Sequence, residues 1–325
     1  MAMIIDSLSL QPTHSLAVLG RSLYSINWKM KNRNPIISFL LSLFFSGLGQ
    51  VYNGEIMKGI LLAILIFPIY ILIGLTGLVS SFNGMILICS VIIIYKLIVS
   101  IEAYRRSKSL NPYELRPINH ISKYMLFILF GFAVNWIGVS AGTVIIGYES
   151  FEIPTPSMEP TINVGDRIMA IRINSKNIES GDVVTFAKED GQKYLSRVIG
   201  LPGDSIEIIN DRASINGKLE EWKENGSTTK DQIEYQKYKC KLPNGKEFGT
   251  LKMLSFNGTE ITPQEISNKE LIIVPKDRMF VLGDNRNNSM DSRMYGTIPV
   301  QNIEKKVRYV WWSNNKSRIG ELLNE

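Results

Sequence analysis

The chain has 325 residues, enough for one large domain or two smaller ones, and its 36 Lys and Arg against 30 Asp and Glu give a net charge of +6. The positive charge is dispersed and partly juxtamembrane, with no nucleic-acid motif, so no nucleic-acid partner is expected and anionic membrane lipid is the natural one. Cys89 in an apolar run and Cys240 in a polar one form no C-x-x-C pair and no metal spacing, so neither a disulfide nor a cysteine metal site is expected.

Roughly the first 30 residues are polar and mixed, unlike a cleavable signal peptide. Three stretches then carry no charge: Pro35 to Gly54, Gly59 to Tyr95 and Tyr124 to Tyr148. A spanning helix needs about 20 residues, so the second stretch is too long for one pass, and the polar group Ser80 to Gly84 divides it into a helical hairpin. The third makes one clean span. The first is short and ends in the glycine-containing SGLGQVYNG, which favours a re-entrant or interfacial segment. Arg105, Arg106, Lys108, Arg116 and Lys123 between hairpin and last span mark a cytoplasmic loop, which sends the last span outward. Lys29, Lys31 and Arg33 also favour the cytoplasm, so the number of complete crossings is odd. The expected organisation is a cytoplasmic segment 1–34, a multi-span membrane module 35–110, a basic loop 111–123, an anchor 124–148 and an extracytoplasmic domain 149–325.

After about residue 150, short alternating runs such as DRIMAIRI, GDVVTFAK and KYLSRVIG are punctuated by Gly-Asp and Asn-Gly pairs, the pattern of a mostly antiparallel β domain. Residues from about 217 to 268 are charged and Gly/Asn-rich, and read as an insertion with its own hairpins. The fold class expected is thus an N-terminal α-helical membrane region followed by a β-rich domain.

Ser157, in FEIPTPSMEPTINVGDRI, is either a turn residue or a nucleophile. A serine attacks only when a base takes its proton. The two histidines, His14 and His120, fall before the soluble half, which excludes a Ser-His-Asp triad there, and no G-x-S-x-G elbow surrounds Ser157. A lysine-activated serine remains.

Four segments in order, PTPSMEPTINVGDRI, GDVVTF, SRVIGLPGDSIEI and VLGDNRNNSMDSRMYGTIP, resemble the boxes of bacterial type I signal peptidases over roughly residues 148–312. The resemblance implies a membrane-bound serine endopeptidase with a Ser-Lys dyad on a β-rich fold, without cofactor. Such an enzyme cleaves the signal peptides of exported preproteins at the outer face of the cytoplasmic membrane. It assigns Ser157 as nucleophile and Thr155 as the hydroxyl helping to bind the oxyanion. Ser289 takes the place of the lysine-orienting hydroxyl, Asp291 and Arg293 of a supporting ion pair, and Gly283, Asp284, Asn285 and Arg286 of the loop shaping the site. It also implies that substrate binds as an extended strand beside Phe151 to Pro154 and Asp182 to Phe186. Val310, Trp311 and Trp312 are either a lipid-interface seat or a pair of indoles packed on a terminal strand. SGLGQVYNG resembles the loop of small membrane modules, and no role follows from that.

One departure bears on activity. The family's base is a lysine immediately before the arginine of the third box, and here that position is Ser196, followed by Arg197. A hydroxyl cannot accept a proton near neutral pH, whereas a buried amine can once desolvation lowers its pKa from about 10.4. Three readings follow: a catalytically impaired homologue that binds signal peptides or partner proteins without cleaving them, a base supplied by Lys188, Lys193 or Lys276, or a lost base in an otherwise ordinary enzyme. Lys193, three residues upstream on a strand, points to the opposite face. The sequence leaves the oligomeric state open.

Overall fold

The computed structural model describes residues 30–114, 120–141, 147–188, 191–260 and 269–323. His14, Lys29, Arg116, residues 142–146 of the expected anchor and residues 261–268 of the expected insertion lie outside them. The chain divides into two compact units, Met1–Ile64 with Tyr95–Ala133 and Leu65–Ile94 with Val134–Glu325.

In the first unit, β1 (Met30–Lys31) pairs with β2 (Tyr113–Glu114), and α1 (Pro35–Phe44) starts on Asn34, whose side chain accepts from the Ile36 and Ile37 amides. At about 1.5 Å per residue, α1 covers about half of a ~30 Å hydrocarbon core. The glycine-containing motif that follows has a packing reason. A Cβ on Gly47, which lies at φ +92° and begins α2 (Leu48–Tyr52), would sit 2.1 Å from the carbonyl oxygen of Gly59 in α3 (Ile56–Ile64). The polar residues of the motif are buried and paired: Gln50 Nε2 donates to the Val99 carbonyl (2.9 Å) and Glu102 (2.7 Å), and Asn53 Nδ2 to the Ala103 carbonyl (2.9 Å). Buried amides must find partners, so these bonds tie α2 to the later helix that carries Val99 to Ala103.

The second apolar stretch is a hairpin whose first arm is broken. Helix α4 (Ile66–Thr76) starts just after a break at Leu65. Pro68 explains the break, because it has no N–H for the carbonyl of Ile64 and its ring crowds that group. Gly77, at φ +64°, and the tight turn Leu78–Ser80 close the hairpin into α5 (Phe82–Ser109), which runs through both units. Arg105, Arg106 and Lys108 therefore end a helix rather than occupy a loop, where cations favour the helix C-terminus. The last helix is α6 (Ile121–Ala141). Segments Phe82–Ser109 and Ile121–Ser140 are long and apolar enough to cross a membrane.

The rest of the second unit is the expected antiparallel β domain. Its strands run β3 (Tyr148–Glu152), β4 (Arg167–Arg172), β5 (Val183–Ala187), β6 (Lys193–Gly200), β7 (Ser205–Ile209), β8 (Arg212–Ile215) and β9 (Lys218–Leu219). They continue with β10 (Glu221–Lys230), β11 (Ile233–Lys241), β12 (Glu247–Phe256), β13 (Thr259–Glu260), β14 (Lys269–Ile273), β15 (Arg278–Leu282), β16 (Ile298–Pro299) and β17 (Ile303–Trp312). A seven-stranded sheet has the order β16-β15-β6-β5-β17-β4-β3, beside two four-stranded sheets, β14-β7-β8-β9 and β10-β11-β12-β13.

Strand β5 is apolar without alternation because both faces are covered. Val183 packs with Met158 and Ile168, whereas Val184 and Phe186 pack with Val198 and Val281. Residues 184–186 are also paired on both edges, to β6 and β17, so this strand cannot accept a peptide by strand addition as expected. Of the two expected segments, the one with an open edge is β3, at the end of the seven-stranded sheet. Of Val310, Trp311 and Trp312, read as either a lipid-interface seat or a packed terminal strand, Val310 is fully buried and Trp311 donates to Ser150 Oγ (2.7 Å), while Trp312 stays exposed.

Phe280, fully buried among Ile199, Ile206 and Ile208, joins β15 to β6 and β7. Phe280→Ala is expected to cost about 3–5 kcal/mol, from lost transfer energy plus the cavity, read by denaturant unfolding in detergent. Asp182 is fully buried; burial alone would raise its pKa, but hydrogen bonds from Lys246 and Lys306 (2.7 Å each) outweigh that and hold it below the usual carboxylate value. Its stabilisation is therefore complete above the unfolded pKa near ~3.9 and is lost as pH falls through the depressed folded value. Asp182→Asn should flatten that acid limb of stability against pH, as measured by thermal melting.

Candidate active site

Ser157 lies in the short turn Pro156–Met158, half-buried, directly after the open-edged β3 and its continuation through Ile153 and Pro154. Buried Met158 anchors the turn in the core. Its hydroxyl is 3.3 Å from Thr155 Oγ1, so the two residues that the resemblance pairs share a hydrogen bond.

The loop after β15 holds this turn from the far side. The Asn285 amide donates to the Ser157 carbonyl (3.0 Å) and Asn285 Nδ2 to the Pro156 carbonyl (3.2 Å). Gly283 is required by close approach: a Cβ there would lie 2.1 Å from Ser289 Oγ and 2.7 Å from the Ser157 carbonyl oxygen. Ser289 is thus brought to the same spot as the Ser157 turn. Asp291 caps α7 (Ser292–Tyr295), accepts from the Gly283 amide (3.0 Å) and takes Arg293 Nε and Nη2 in a fork at 2.8 Å each. Asp284 takes a second fork from Arg197 (2.8 and 2.6 Å), whose guanidinium lies 3.9 Å over the Phe248 ring. The two buried pairs fix the turn's geometry, since planar forks hold both partners in one orientation.

Sequence reasoning missed what lies under the loop. Arg286 is fully buried against Glu220, which is fully buried too, and donates also to the Asp211 carbonyl (2.6 Å). Burial alone would raise the Glu220 pKa, but the charge and hydrogen bonds of Arg286 hold it below the usual carboxylate range. Cys240 Sγ donates to the same carboxylate (3.2 Å), and burial next to that charge pushes the thiol pKa up. Strand β12 of the insertion meets the loop through the Leu251 amide to the Asp284 carbonyl (2.9 Å) and the Arg286 amide to the Leu251 carbonyl (3.0 Å). The insertion, which composition alone sets aside from the chemistry, forms the floor of the site.

Ser196 is buried on β6, paired across to Val184, and its hydroxyl donates to the Leu195 carbonyl (2.8 Å). Strand β6 packs against the turn carrying Ser157. The hydroxyl of Tyr295 lies beside Ser196 without a hydrogen bond of ordinary geometry. Burial, reinforced by the Asp291 charge, pushes that phenol well above its usual pKa, so it stays protonated and is no base. The tyrosine stands in the fourth box, DSRMYG, where the sequence offered no reason to single it out.

The three lysines considered as substitutes have different surroundings. Lys193 binds Glu149 and Glu304 (3.1 Å each), and despite partial desolvation those carboxylates raise its pKa, the opposite of what a base needs. Lys188 lies over the rings of Tyr295 and Tyr194 at 4.0 and 4.6 Å. Lys276 is exposed on a surface cleft with Ser175 and Pro202. Among the described residues, no group of three or more His, Cys, Asp or Glu could hold a metal ion.

Comparison with known proteins identifies the family. The model of the signal peptidase family, peptidase S26, matches residues 123–312. Signal peptidase I of Rickettsia prowazekii (strain Madrid E) is 34% identical over 195 residues, covering 52% of this chain and 74% of its own. That of Rickettsia bellii (strain OSU 85-389) is 33% identical over 195 residues, covering 52% and 67%. A crystal structure of a signal peptidase I from Enterococcus faecalis V583 aligns with 40% of this chain and 96% of its own at 26% identity, with a TM-score of 0.24. With its family segment placed on the β domain and on the helix before it, the chain belongs to the type I signal peptidase family.

Proposed function

We propose that the chain is a membrane-bound endopeptidase that removes signal peptides from exported preproteins, with Ser157 as nucleophile. The observation that carries this reading is the convergence of Thr155, Asn285, Gly283 and Ser289 on the Ser157 turn, beside the open edge of β3. A preprotein laid along β3 would present its scissile carbonyl to Ser157 Oγ. Attack forms the Oγ–C bond and develops an oxyanion for the Ser157 amide and the Thr155 hydroxyl to stabilise. The Oγ proton must leave at that moment and reach the departing amine when the peptide bond breaks. Asp291, Arg293 and Asp284 hold the loop in place and do not exchange protons with substrate.

The chain sits in the cell (cytoplasmic) membrane as a multi-pass protein with the β domain on the outer face. Three crossings, residues 56–76, α5 and α6, satisfy the odd count. The basic end of α5 and Lys123 then lie inside. Their lengths and the short α1 support this arrangement.

Ser196 favours a second reading, a homologue that binds signal peptides or partner proteins but barely cleaves them. Losing a general base costs about 10²–10⁴-fold in rate, and Lys193, held by two carboxylates, is unsuited to replace it. In a detergent assay with a preprotein, Ser196→Lys is expected to raise turnover at least about 10²-fold, and Ser157→Ala to abolish cleavage in either background. Cleavage that persists in Ser157→Ala would refute the nucleophile. No cleavage by the parent or by Ser196→Lys, with signal-peptide binding retained, would favour the binding reading.

Gly283→Ala offers a second check on the same site. The added methyl must displace Ser289 and the Ser157 carbonyl, so cleavage in the Ser196→Lys background should fall about 10²-fold or more, the scale of a misplaced catalytic group. Melting temperature and detergent-solution behaviour report whether the fold survives.

A further inference from the structure

Two segments that pack on the β domain lie outside the stretch matched by the family model, residues 123–312: the tip of the helical hairpin, Gly77 to Phe82, and the tail Ser313 to Leu323. Both belong to the same compact unit as the β domain. At the tip, Tyr309 of β17, fully buried, donates its hydroxyl to the Val79 carbonyl (3.0 Å). The Phe82 ring meets the Tyr309 ring edge to face at 5.9 Å. Val79 and Phe82 continue into a cluster with Met169 of β4.

The tail folds back over the same strand. The Gly320 amide donates to the Val310 carbonyl (2.8 Å), and the Val310 amide to the Glu321 carbonyl (3.0 Å). Gly320 lies at φ +91°, and a Cβ there would sit 2.9 Å from the Phe82 ring, so tail and tip are in contact. One turn earlier Arg318 reaches the chain just after Ser157. It donates to the carbonyls of Pro160 and Thr161, and its Nε donates to Asp166 Oδ2 (3.1 Å), the oxygen that Nη2 also faces at 3.1 Å. Asp166 accepts in turn from Ser313 Oγ (2.6 Å) and the Asn163 amide (2.9 Å). Leu323 is buried beside Met158 and Ile162 in the core that anchors the nucleophile turn.

We infer that the hairpin tip and the tail act together as a strap that positions the Ser157 loop, with Phe82 and Arg318 as positioning residues. The inference rests on the reading of Ser157 as nucleophile. Its physical content is a continuous contact path, from Phe82 to Gly320, through Arg318 to the Pro160 and Thr161 carbonyls, and so to the turn three residues before them. A guanidinium serves here because one planar group reaches two carbonyls and a carboxylate at once. The extra helical hairpin thereby gains a role in the peptidase: it sets the orientation of the nucleophile loop relative to the segment that enters the membrane.

The test uses the full chain in phospholipid vesicles, with Phe82→Ala, Arg318→Ala and Arg318→Lys compared with the parent. Amide hydrogen exchange is read by mass spectrometry over residues 158–165, whose Glu159, Ile162 and Gly165 amides are hydrogen-bonded. Both alanine variants are expected to speed that exchange at least about tenfold with β7 and β8 unchanged, and Arg318→Lys to lie between. In the Ser196→Lys background, kcat for a preprotein with small residues one and three positions before the scissile bond should fall about tenfold, with KM within about twofold. Unchanged exchange at 158–165 in both alanine variants would overturn the strap. Equal losses in kcat and rises in KM would overturn it too, since they indicate a damaged binding edge. Faster exchange in a parent background where Ser157→Ala makes no difference to cleavage would keep the strap and remove the nucleophile.

Discussion

The carbonyl of Ser157 accepts from the Asn285 amide across a gap that only a glycine at 283 leaves open, and most of the β domain can be understood as the means of keeping that approach. A backbone–backbone bond between two loops is weak alone, since about 1 kcal/mol is its usual net worth. It persists here because both loops are held from behind. The Asp291–Arg293 and Asp284–Arg197 forks fix the direction in which residues 283–286 leave β15, and the buried Arg286–Glu220 pair fixes their depth. Charges so buried are costly to desolvate and gain little net stability. Their value is geometric: each pair tolerates one arrangement, and that arrangement brings Ser289 and Ser157 together.

Much of this was legible in the residue order. Ser157, Thr155, Ser289, Asp291 and Arg293 stand in motifs whose sequence along the chain survives the insertion, and the structure brings them to one place. The β character of the second half followed from alternation and turn pairs, and the hairpin from a charge-free run too long for one pass. What escaped was pairing over long separation. Glu220 sits in a stretch whose charge and glycine content read as exposed ribbon, and only coordinates reveal that its carboxylate is buried on Arg286, 66 positions away. The doubly paired state of β5 escaped for a similar reason, because an apolar run shows burial on both faces but not which neighbours occupy its edges.

Ser196 makes the same point from the other side. The sequence showed that an amine was missing; the structure shows the kind of space that is left. The serine hydroxyl turns back on the Leu195 carbonyl, a protonated phenol lies beside it, and Lys193 is drawn to two carboxylates on the opposite face. The Thr155–Ser157 contact and the two forks that hold the loop are formed around this position.

The thiol of Cys240 lends itself to a different use. It is the only cysteine of the β domain, fully buried, and its proton is committed to Glu220. Because the thiolate is the reactive form, a sulfur whose deprotonation is opposed by burial and by an adjacent carboxylate is chemically silent while the fold is intact. With one cysteine, the domain cannot form a disulfide within itself. The sulfur becomes reactive only when the Arg286–Glu220 floor comes apart, so alkylation of this one atom reports the integrity of the platform on which the Ser157 site is built.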